Sequence, residues 1–98
     1  MDNQVILESL REHQLELRCL GVASLSLFGS VARSEAKPES DIDLLVVFEP
    51  EAKMSLLQMI SISNLLSDLL KRPVDLVELK SLGPDIRHAA LKDQLLAF

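Results

Sequence analysis

Gly29-Ser30 is followed, after ten intervening residues, by Asp41-Ile42-Asp43, and the second aspartate leads into the apolar run Leu44-Leu45-Val46-Val47-Phe48. Residue types in this order suit a metal-bound nucleotide. Side chains two apart on a strand share a face, so Asp41 and Asp43 can converge on one cation while Ile42 turns into the core. A hard cation such as Mg²⁺ takes one or two carboxylates together with substrate phosphate oxygens, and it offsets the repulsion between the two acids. Gly29 allows close backbone approach to a phosphate, Ser30 adds a hydroxyl, and a helix start after the turn adds free N–H groups. Arg33, one turn further on, can reach a phosphate and offset charge on a leaving pyrophosphate. Asp75 on a later strand is a candidate third carboxylate, sharing a metal and drawing a proton from an attacking hydroxyl. Glu78 is its rival, but the two are three residues apart and should face opposite sides of a strand. Read singly, each feature has a plain account: aspartates in a turn, a tight Gly-Ser turn, an arginine paired with Glu35 or Glu39. The combination at this spacing favours the site.

These residues need a scaffold of short strands and helices. Ile6, Leu10, His13, Leu17 and Leu20 recur at helical spacing, which predicts one helix over about Asp2–Leu20, stopped at Gly21. Ser24–Phe28 reads as the first strand and Val31–Ala36 as a short helix starting at the Gly-Ser turn. Lys37-Pro38-Glu39-Ser40 reads as a loop and Asp41–Phe48 as the second strand. After Pro50 a helix is expected over about Lys53–Leu70, apolar on more than one face: Leu56, Met59, Ile60, Leu66 and Leu70, with Ile62, Leu65 and Leu69 beside them. Its surplus apolar side is either core or an interface. Arg72-Pro73 breaks the chain before a third strand, Val74–Leu79. Pro84 after Gly83 opens a last helix, Asp85–Phe98, carrying Ile86, Ala89, Ala90 and Leu95. The alternation of helix and strand gives an α/β domain with a small sheet.

At 98 residues the expectation is one domain, residues 1–98, too small to add a separate substrate domain. Ten basic against fifteen acidic residues give a net charge of −5, and the only aromatics are three Phe, which argues against direct nucleic-acid binding. No segment has the length or character of a membrane span or signal peptide, so a cytoplasmic location is the default. Cys19, the single cysteine, has no disulfide or thiolate partner and is expected to pack as a small buried or half-buried residue. His13 and His88 read as ordinary helical residues without metal-ligand spacing. Lys71 and Arg72 read as a solvated helix end.

Gly29-Ser30, Arg33, Asp41-x-Asp43 and Asp75 together resemble the signature of the minimal nucleotidyltransferases of the DNA polymerase β superfamily, and the resemblance spans nearly the whole chain. It implies the family fold, a small mixed sheet of about three or more strands flanked by helices. It also implies that Asp41, Asp43 and Asp75 bind Mg²⁺, as two ions, and carry catalysis, with ATP as substrate held at Gly29, Ser30 and Arg33. Small stand-alone members are MntA-type antitoxins encoded beside a HEPN-domain ribonuclease toxin. They transfer AMP from ATP to a Tyr of that HepT-like toxin and bind it, which would account for the absence of a substrate domain. Two other readings stand beside this one: a module that neutralises its partner by occlusion without catalysis, and a transferase acting on a small molecule in a pocket completed by a second subunit. Whether the chain forms homo-oligomers or only a hetero-oligomer with a toxin is left open.

Overall fold

The computed structural model describes residues 3–29 and 41–98. The expected helix Val31–Ala36 and the loop before Asp41 lie outside the described residues. The fold is a mixed four-stranded sheet with helices packed on it, in the strand order β3-β2-β1-β4.

The first apolar stripe forms two helices instead of one, α1 (Asn3–Glu12) and α2 (Gln14–Cys19), meeting at His13. The division has a packing reason: α1 rests on α3 (Leu56–Leu70), whereas α2 rests on β1 (Val22–Leu27). His13 is therefore a joint, with Nδ1 2.9 Å from Ser9 O. Ile6, Leu10 and Leu17 are fully buried, but Leu20, expected on the same face, is exposed. Cys19 is exposed too, contrary to expectation. Two residues beyond Leu17 on a helix is about 200° around the axis, so burying Leu17 turns Cys19 outward. Gly21 then reverses the chain at φ +103°, where a Cβ would come within 3.0 Å of the Ala52 Cβ.

β1 pairs antiparallel with β2 (Ile42–Phe48), with a bulge between Val22 and Ser24. The bulge changes the alternation, so Val22, Leu25 and Leu27 all face the core beside Ile42, Leu44, Val46 and Phe48. Helices α1, α2 and α3 complete that core with Ile6, Leu10, Leu17, Ile62, Leu66 and Leu70. The other face of the sheet is left with Ser24, Ser26, Asp43, Leu45 and Val47.

The crossover helix α3 begins three residues later than expected, after a capping box. Ser55 Oγ accepts from Gln58 N at 3.1 Å, and Gln58 Oε1 accepts from Ser55 N at 2.9 Å. Met59, Leu65 and Leu69 pack against the core, whereas Leu56 and Leu57 are 74% and 77% exposed and Ile60 46%. The wide stripe thus divides into a core face and an outward apolar patch. α3 ends on left-handed Lys71, and Ser67 Oγ accepts from Val74 N to start β3 (Val74–Glu78), parallel to β2.

A 3-10 turn (Leu79–Ser81) leads to α4 (Pro84–Asp93), shorter than the helix expected to reach Phe98. The chain extends at Gln94 instead and adds β4 (Leu95–Leu96) to the edge of β1. There Ala97 N donates to Leu25 O at 2.9 Å and Leu25 N to Phe98 O at 3.2 Å, satisfying β1 backbone groups that would otherwise be unpaired. Arg11 clamps the strand from α1, donating to Ala97 O and Leu96 O, and Arg18 stacks over the Phe98 ring.

Candidate active site

The site is built where β1 runs out. Phe28 N donates to Asp43 O at 3.1 Å, holding the turn after β1 against the start of β2. Gly29 follows at φ +71°, a left-handed conformation that suits glycine, and a Cβ there would stand 2.6 Å from Asp43 Oδ2. Absence of a side chain at residue 29 therefore makes the room that the Asp43 carboxylate occupies. Ile42, fully buried, and its N–H, donating to Pro73 O at 2.9 Å, fix the start of β2 against β3.

Asp43 is the register partner of Asp75 across the parallel β2/β3 pair. Register partners stand on one face of a sheet about 4.8 Å apart, so the two carboxylates are neighbours on the face away from the core. Asp75 is exposed and Asp43 half-buried; Asp41, exposed, immediately precedes β2 on the side from which the chain enters it. Glu78 instead partners Val46, a core residue, so it stands on the opposite face, 3.3 Å from Lys80 Nζ. Ser30 and Arg33, the other expected nucleotide contacts, lie outside the described residues.

Among the described residues no three His, Cys, Asp or Glu side chains stand close enough together to hold a metal ion. Asp43 and Asp75 nonetheless put two carboxylates on one face, and a hard cation such as Mg²⁺ takes only one or two when substrate phosphates supply the rest. One feature of this region was not legible as function in the sequence. A slot of about 180 Å³ opens beside Gly29, walled by Phe28 and by Ile86, Ala89, Ala90 and Asp93 of α4. The spacing of those four helix residues is that of a single helix face, and the sequence places Ile86, Ala89 and Ala90 on the last helix with no further role.

A family model described as a nucleotidyltransferase domain matches residues 5–96. The chain belongs to the nucleotidyltransferase family. The protein adenylyltransferase MntA of Thermococcus cleftensis is 42% identical over 85 residues, covering 86% of this chain and 84% of that protein. A solved structure of a candidate minimal nucleotidyltransferase superposes with a TM-score of 0.80 at 38% identity, over 97% of this chain and 95% of that one. The antitoxin in a complex of a tri-AMPylated Shewanella oneidensis HEPN toxin with an MNT antitoxin shares the fold, with a TM-score of 0.65 at 19% identity over 94% and 71% of the two chains. This nucleotidyltransferase is thus an enzyme of the minimal type, and its mixed sheet is that of the family. No helix among the described residues is long and apolar enough to cross a membrane.

Proposed function

We propose that this nucleotidyltransferase transfers AMP from ATP to a hydroxyl, that of a Tyr, on a partner HEPN-domain ribonuclease toxin in the cytoplasm, and so acts as its antitoxin. The observation that carries this reading is the juxtaposition of Asp43 with Asp75 in register and with Gly29 at its carboxylate. The likeness to MntA of T. cleftensis, a protein adenylyltransferase by name, supports the reaction, and the shared fold with the HEPN-bound antitoxin supports the partner.

In this reading Asp41, Asp43 and Asp75 would hold Mg²⁺, which when bound supplies charge stabilisation to the transferring phosphoryl group. The turn at Gly29-Ser30, with Arg33, binds and orients the triphosphate. Asp75, exposed on the outer strand beside Asp43, takes the proton of the acceptor hydroxyl. The acceptor oxygen bonds to the α-phosphorus as the bond from that phosphorus to the bridging oxygen breaks, and pyrophosphate leaves with the electron pair. A single domain, residues 1–98, suffices for this chemistry when the partner presents its own acceptor.

Intact-mass spectrometry of a co-expressed HEPN partner tests the reading. Whole AMP increments on the partner are expected with the wild-type protein. An unmodified partner in an active complex would refute it. A second reading, neutralisation by occlusion, is favoured by the outward apolar patch of Leu56, Leu57 and Ile60 on α3, and it predicts inhibition by a variant that transfers nothing.

A further inference from the structure

We propose that the apolar slot beside Gly29 seats the base of the nucleotide. This rests on reading the site as a nucleotide site and adds to it the place of the ring. The slot shares Gly29 with the turn that would hold the phosphates, and it takes no residue from β3, where Asp75 awaits the acceptor. Its location therefore favours the nucleotide over the acceptor side chain as occupant.

Size and surface agree. A closed cavity of about 150 Å³ admits a benzene ring, so an open slot of about 180 Å³ takes the face of a base with its edge left in solvent. Glycine and two alanines keep the walls flat, and Phe28 and Ile86 give them apolar depth. Ile86 is 62% exposed, an apolar side chain at the lip of the slot that a stacked ring would cover.

Two ligands separate base from phosphate: ATP, and inorganic tripolyphosphate, which has no ring. Dissociation constants for both, with Mg²⁺, are measured by calorimetry on the wild-type protein and on Ala89→Phe, which fills the slot, and Ile86→Asp, which charges its lip. Loss of one stacked base weakens binding by roughly tenfold or more. ATP should lose that much in both variants while tripolyphosphate stays within about twofold, which also shows that the variants are folded. Unchanged ATP binding would overturn the proposal. So would equal losses for the two ligands, or an effect confined to the KM of the acceptor. Failure of the wild-type protein to bind either ligand would instead fell the nucleotide-site reading itself, and the slot assignment with it.

Discussion

At Gly29 two demands meet in one residue. Its φ of +71° disfavours any side chain, and the space where a Cβ would be is 2.6 Å from the Asp43 carboxylate. Gly29→Ala should cost about 1–3 kcal/mol from backbone strain, read by urea unfolding. Displacement of Asp43 should remove far more activity than that loss of stability explains, about a hundredfold in transfer rate. Across the sheet the register distinguishes two acids that composition alone leaves equal. Asp75→Asn should lower transfer by about a hundredfold or more, while Glu78→Gln, on the other face beside Lys80, should leave it within about twofold. The reverse pattern in single-turnover rates would reassign the third carboxylate. That Asp75 and Glu78 stand on opposite faces was legible in the sequence because strands alternate; that Asp75 is the one facing Asp43 follows from the β2/β3 register. The exposure of Cys19 was not, because free cysteine is usually buried and only the setting of Leu17 turned it out.

Among the elements, those with strong local signals formed where the sequence puts them. The apolar run after Asp43 became β2, and the segment after Pro73 became β3. α3 formed from its wide stripe, with its start set by the Ser55–Gln58 capping box. Three features had no local signal. The joint at His13 follows from α1 and α2 packing on different neighbours, the bulge after Val22 from the fit of β1 to the core, and β4 from the unpaired edge of β1. Leu95–Phe98 fits the apolar pattern of a helix as well as that of a strand, so only the edge it covers decides. If β4 is held as the contacts indicate, Arg11→Ala, losing donors to Ala97 O and Leu96 O, should destabilise the fold by about 1–3 kcal/mol. Hydrogen exchange should then rise first at Leu25 and Ala97, and an unchanged unfolding midpoint would mean that β4 is held otherwise.

For the whole molecule, one face of the sheet carries the main core, and in the proposed account the chemistry sits at Asp43 and Asp75 on the other. Leu66, fully buried under the sheet, illustrates the first: Leu66→Ala should cost about 2–5 kcal/mol. Leu57→Ser on the outward side of the same helix should change stability by no more than about 0.5 kcal/mol, because a leucine 77% exposed contributes little to the core. A large loss at Leu57 in thermal unfolding would show that the patch is covered in the protein's own assembly. In the proposed account a chain of 98 residues can hold reactive groups because Asp43 and Asp75 stand on a sheet packed from behind by the core helices.

The most direct test follows both ends of the nucleotide. Purified protein, Mg²⁺ and a HEPN-domain partner are incubated in parallel with α-labelled and γ-labelled ATP, alongside a variant carrying Asp41→Asn and Asp43→Asn. Label on the partner from the α position alone, lost in the variant, is the predicted result. Label from the γ position, or α-label transferred undiminished by the double variant, would contradict the assignment of these carboxylates to nucleotidyl transfer.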